Sequence, residues 1–178
     1  MNDNHTIIEP NIYFTPSTFF DVIFKNNDID SNIDNGRIVF AKKGNCNQIG
    51  FARYITEEDD CSDYVVVCQP PIQKEPTDKI CDFYNLAGNP IRVARIQRGD
   101  KYYLSKEGFC FNPSKVKDGT LVCVDFKSGK FDLWNKKKKI PYIGRMRSEK
   151  NMYDTTLYSV AIITDGNSSE SLIGYFCQ

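Results

Sequence analysis

Residues 47–71 read NQIGFARYITEEDDCSDYVVVCQPP, and residues 140–164 read IPYIGRMRSEKNMYDTTLYSVAIIT. Each passage holds an Ile-Gly-x-apolar-Arg segment, an acidic or polar connector, and an apolar run. The first apolar run, Tyr64 to Cys68, has three consecutive valines. Such a run is too short for a buried helix and rich in β-branched residues, so it reads as a strand buried on both faces.

The correspondence extends upstream of both passages. Asp34-Asn35-Gly36-Arg37-Ile38-Val39-Phe40 leads to Ile49-Gly50-Phe51-Ala52-Arg53. Lys117-Asp118-Gly119-Thr120-Leu121-Val122-Cys123 leads to Ile143-Gly144-Arg145-Met146-Arg147. Gly36 and Gly119 stand where the chain leaves a loop, a place that favours positive φ. Gly50 and Gly144 lie inside strands, where glycine marks a bulge or a close approach of backbones. Arg53 and Arg147 point to the face opposite their own glycines. A repeated packing unit is the natural reading of this order. The second copy is longer and holds Lys136–Lys139, as an insertion in a hairpin would.

The rest of the chain punctuates in the same way. Phe20, Val22 and Phe24 alternate with Asp21 and Ile23 in a strand. Asn26 to Gly36 is a polar loop. Further strands are RIVFA, IRVARIQ, KYYLS, FCFN, TLVCVDF, KFDLW, TTLYSVAIIT and LIGYFCQ, with SEKNMYD as a loop. Gly129 sits in the turn of a TLVCVDF–KFDLW hairpin. Many short strands bounded by turn residues specify an all-β fold of two similar small β-barrel or β-sandwich modules. The expected organisation is an N-terminal arm at 1–12, a first module at 13–68, a proline-rich linker at 69–80 and a second module at 81–178.

Composition removes several functions. Lys plus Arg and Asp plus Glu each number 23, so no net charge draws nucleic acid to the whole molecule. No apolar run approaches membrane length. The first residues lack the basic and apolar regions of a secretory leader. The seven cysteines cannot all pair within the chain and form no C-x-x-C, so neither a complete disulfide framework nor a zinc site is expected. Cys68 and Cys123 lie in apolar runs, where reduced cysteine is a small hydrophobe. The single histidine, His5, sits near a terminus with no cysteine placed beside it. Asp125 and Asp132 flank the hairpin without an aromatic-lined cleft to make them a hydrolytic pair. Arg98-Gly99-Asp100 spells an adhesion tripeptide but has the composition of a hairpin turn. No catalytic, cofactor-binding or metal-binding residue is therefore assigned.

Two charge features suit partners. Residues 1–35 carry six acidic side chains against Lys25 alone, and 115–150 is basic. Contact between the acidic and basic ends of neighbouring copies would use that asymmetry. The alternative partner is single-stranded nucleic acid. Lys101 and Lys106 interleave with Tyr102, Tyr103, Phe109 and Phe111, and Trp134 adjoins the lysine run.

Residues Val93 to Thr164 resemble the decoration, or head-stabilisation, proteins of tailed bacteriophages. The resemblance rests on the strand before RGDKYYL, then KVKDGTLVCVDFKSGKFDLW, IPYIGRMR and LYSVAIIT. Those families have a β-barrel or β-tulip module with the order G-x-x-V-x-V-D-x-x-S-G, IG-x-apolar and a final V-x-I strand. This chain adds an N-terminal copy and seven cysteines. The resemblance implies a non-enzymatic virion protein, assembled in the host cytoplasm and seated on the outside of a capsid. Its partners would be the major capsid protein or another virion protein, with further copies of itself, often as a trimer. It implies no cofactor and no membrane. Residues 2–12 would be an arm that orders on the particle.

Overall fold

The structure is a computed structural model that describes residues 5–6, 8–11, 19–45, 48–70, 84–135, 143–152 and 155–163. Twelve strands carry the described fold. The first sheet uses β2 (Phe19–Asn26), β3 (Ile29–Asp30), β4 (Ile38–Lys42), β5 (Gly50–Arg53), β6 (Tyr64–Val67) and β7 (Ile91–Arg95). Its order is β3-β2-β5-β4-β6-β7, and β7 pairs back onto β2. That last pairing closes a five-stranded barrel. Closure removes the free edges of the five strands. All its pairings are antiparallel except β2 with β5.

The second sheet uses β1 (Ile8–Asn11), β8 (Lys101–Leu104), β9 (Leu121–Val124), β10 (Phe131–Leu133), β11 (Gly144–Met152) and β12 (Thr155–Ile162), in the order β1-β8-β12-β11-β9-β10. It curls into a half-barrel. Every pairing in it is antiparallel. The all-β, two-module fold read from the sequence is thus the observed one. Among the described residues no helix is long and apolar enough to cross a membrane.

Strand periodicity explains how the sheets meet. In β4, Val39 and Ala41 point into the barrel, while Ile38 and Phe40 point outward to the second sheet. In β6, Val65 and Val67 point inward, and Tyr64 and Val66 point outward. β7 and the residue after it divide likewise, with Ile91 and Val93 inside and Ala94 and Ile96 outside. The outward set packs with Tyr102, Leu104, Val122, Phe131, Met146 and Val160 of the second sheet in one cluster. Val65, Val66 and Val67 are all fully buried, as their uninterrupted run requires.

The division at 69–80 does not separate the two sheets. β7 lies beyond it yet supplies the barrel's closing strand, because Phe20 pairs with Val93 and Val66 with Ala94. Conversely, Ile8–Asn11 lies in the expected arm but pairs with Lys101–Leu104 as the edge of the second sheet. Residues 8–11 therefore form a strand of the second sheet. Pro10, which lacks a backbone donor, is tolerated there because β1 is an edge. SEKNMYD is not a loop through Met152: β11 runs on to that residue, with a register shift between Met146 and Glu149. FCFN is not a strand; Phe109 makes an isolated bridge to Phe131. The polar loop after β2 contains a hairpin, with Asn27 and Asp28 both at positive φ and β3 returning antiparallel. LIGYFCQ and Lys136–Lys139 lie outside the described residues.

The proposed repeat is shared for two strands and diverges at the third. β4 pairs with β5, and β9 pairs with β11, both antiparallel. The following apolar strand, however, joins β4 in the barrel and β11 in the second sheet. Gly36 and Gly119 have φ of 75° and 84°, as their loop-exit positions require. Gly50 and Gly144 are close approaches: an added Cβ would lie 2.1 Å from the Lys42 carbonyl oxygen and 2.6 Å from Val160 Cγ1, respectively.

Gly36 also carries an intersheet contact, since an added Cβ would sit 2.6 Å from Leu104 Cδ2. Gly36→Ala combines a left-handed backbone with overpacking of a fully buried leucine. It should destabilise the protein by roughly 2–4 kcal/mol, measured as a fall in the denaturant midpoint. Gly119→Ala, with nothing within 4 Å of the added atom, should lose only the backbone contribution.

Candidate functional site

The loop after β3 brings Asn32, Ile33, Asp34 and Arg37 to one side of the barrel, and Tyr54 extends β5 beside them. The turn between β9 and β10 contributes Ser128 and Lys130 from the second sheet. His5, just before β1, and Tyr84 complete a cleft of about 400 Å3. The cleft therefore sits on the seam between the two modules. Hydrogen bonds hold the seam: Ile38 N–H donates to the Gly129 carbonyl at 2.8 Å, and Arg37 Nη1 donates to the Glu107 carbonyl at 3.1 Å.

Asp34 is the electrostatic centre. Its Oδ1 lies 2.6 Å from His5 Nδ1, and its Oδ2 accepts from Arg37 Nη2 at 2.5 Å. The His5 ring stacks against Tyr84 with centroids 4.7 Å apart. Arg37 is buried, so its guanidinium needs this carboxylate and the Glu107 carbonyl in place of water. Burial raises the pKa of the Tyr54 phenol; Arg37 opposes this and Asp34 adds to it, and the net shift is upward. Tyr54 is therefore a protonated donor at neutral pH. His5 was legible only as a histidine near a terminus. Its partner lies 29 residues away and no local motif joins them.

The other side chains singled out in the sequence have structural partners. Asp100 of the Arg-Gly-Asp tripeptide is 1% exposed and accepts from Tyr102 Oη and Gln97 N–H, both at 3.0 Å. The tripeptide is not a hairpin turn: it joins β7 of the barrel to β8 of the second sheet, and its carboxylate faces the core. Asp125 accepts from both the backbone N–H and hydroxyl of Ser128, fixing the β9–β10 turn. Asp132 accepts from the Leu133 N–H. Cys68 and Cys123 are buried free thiols, and Cys110 is an exposed one. Burial pushes the Cys68 thiol up to about 12, so it packs as a hydrophobe. Among the described residues no group of three His, Cys, Asp or Glu side chains could hold a metal ion.

Of the aromatics that interleave with lysines, Tyr102 is fully buried and Phe109 is 5% exposed. Tyr103 stays half-buried under Lys101, whose ammonium lies 4.9 Å from its ring centroid. Arg53 and Arg147, equivalent in the repeat, differ in use. Arg147 is exposed, whereas Arg53 forms a two-pronged bond to Asp59, both contacts at 2.7 Å, and lies over Phe40 at 4.4 Å. Arg53 thus folds the acidic connector back onto β4.

The chain matches no protein-family model, and comparison with curated proteins and with solved structures gives no match.

The Arg53–Asp59 pair makes stability depend on pH. Burial alone would raise the Asp59 pKa, but Arg53 and the Thr56 donors outweigh it and hold it below its ordinary value. A carboxylate with a lowered folded pKa stabilises above its unfolded pKa, about 4, and loses that contribution as pH falls through the folded value. Asp59→Asn should therefore cost about 1 kcal/mol at pH 7, discounted because Arg53 is partly in water. The difference from the unaltered protein should shrink toward pH 3, as read from urea midpoints at both pH values.

Proposed function

We propose that this chain is a non-enzymatic virion structural protein that binds the outside of a tailed-phage capsid as a decoration or stabilisation protein. The resemblance of residues 93–164 points to that class. Most of this stretch lies in strands β8–β12 and the turns between them, one curled sheet braced by a barrel. A protein that reinforces a shell works by contact area and rigidity, and two sheets around a common core supply both.

The observation that carries this reading is the distribution of apolar exposure. The exposed large apolar side chains among the described residues are Ile29, Ile49, Phe51, Tyr84 and Leu86. All lie on the barrel or its flanking loops. The barrel thus offers apolar side chains to a protein partner. The nucleic-acid alternative loses its strongest sequence support, because Tyr102 and Phe109 are core residues.

Co-sedimentation with nuclease-treated tailed-phage capsid shells tests the proposal. The chain should pellet with shells whether or not nuclease is present, and the Ile49→Asp/Phe51→Asp double variant should pellet less. A chain that stays in the supernatant, or that binds only through nuclease-sensitive material in a salt-dependent way, would overturn it.

A further inference from the structure

The cleft on the seam has an unbalanced set of donors. Asp34 is engaged by His5 and Arg37, and Arg37 divides its guanidinium between Asp34 and the Glu107 carbonyl. That pair is internally neutral. Lys130 is half-buried at the cleft wall; its backbone bonds to Ser128 and Asp125, and its ammonium makes no hydrogen bond or ion pair with the described residues. The Tyr54 and Tyr84 hydroxyls likewise bond to none of them. Asn32 accepts from the Ala87 N–H through Oδ1, which leaves its side-chain N–H groups to donate. Among the described residues, Lys130, Tyr54, Tyr84 and Asn32 therefore line a cleft whose one carboxylate, Asp34, is already paired with Arg37.

We propose that this cleft binds a short-chain carboxylate. A ligand there must accept hydrogen bonds, and a single negative charge balances the single uncompensated ammonium. Charge-assisted bonds from Lys130 and the phenols suit carboxylate oxygens. A phosphate dianion would place its second charge against Asp34, so the arrangement disfavours it. The His5–Tyr84 stack and Tyr54 give the carbon chain an aromatic wall. About 400 Å3 is the volume of an ordinary small-molecule cleft, so a short-chain acid or the tip of one side chain fits with room to spare. The carboxylate is either a free acid or the side chain of an aspartate or glutamate on a protein partner. Carboxylate binding itself does not depend on the capsid reading; its assignment to a protein partner rests on that reading.

Titration of the intact chain with sodium propionate at constant ionic strength, followed by amide chemical shifts, tests the site. Residues Asp34, Ser128 and Lys130 should shift saturably, and equal concentrations of phosphate or chloride should produce a weaker response. Lys130→Met keeps the side-chain length and removes the charge; it should weaken binding by about fivefold or more, with the amide spectrum elsewhere unchanged. Tyr54→Phe should weaken it less. Linear shifts without saturation, an equal response to chloride, or undiminished binding in Lys130→Met would overturn the proposal. Shell co-sedimentation separates the two sources. Reduced pelleting of Lys130→Met assigns the carboxylate to the partner protein, and unchanged pelleting assigns it to a free acid.

Discussion

The burial on both faces of Ile38–Ala41 in β4, of all of β6 and of Val93–Ala94 in β7 is the constraint that organises this molecule. Each strand gives alternate side chains to two different cores, as Val65 and Val67 fill the barrel while Tyr64 and Val66 meet the second sheet. A strand so placed has no face left for water. If the second sheet were removed, Ile38, Phe40, Val66 and Ala94 would be exposed on the barrel wall. If the barrel were removed, Tyr102, Leu104, Val122 and Phe131 would lose their cover. The modules are two in hydrogen-bonding topology and one in packing. Apolar burial contributes about 25 cal/mol per Å2, so the shared face couples their stabilities directly.

The glycines follow from this closeness. Gly36 leaves room for Leu104 across the seam, and Gly129 brings the β9–β10 turn against the start of β4. The same seam creates the cleft, because it gathers segments distant in sequence. His5 precedes the edge strand, Asp34 and Arg37 lead into β4, and Lys130 leaves the turn of the second sheet. The Asp34–Arg37 pair keeps a buried guanidinium solvated by protein groups, and the His5 contact ties the start of the chain to the barrel.

What was legible in the sequence is what local chemistry determines. The valine run announced two-sided burial, Gly36 and Gly119 announced positive φ, and Phe20, Val22 and Phe24 announced an inward face. The membership of each strand was not legible. β7 alternates equally well in either sheet, and only its pairing with Phe20 and Val66 fixes its place. β1 is four residues of weak pattern whose partner lies at least ninety residues away. The Asn27-Asp28 turn carried a hairpin signal within a polar stretch that read as a plain loop. The third strand of the repeat differs for the same reason: similar strings were placed beside different neighbours. The cleft was illegible because none of its charged pairs beyond Asp34–Arg37 is close in sequence.

Unfolding measured at two places in the molecule tests the shared core most directly. Trp134 fluorescence reports on the end of β10, and amide exchange at Val22 and Val39 reports on the barrel interior, across a guanidinium titration. Packing of both sheets around common strands predicts one transition, with the same midpoint from both probes. A barrel that keeps its protection after the Trp134 signal has been lost, or the reverse, would contradict it.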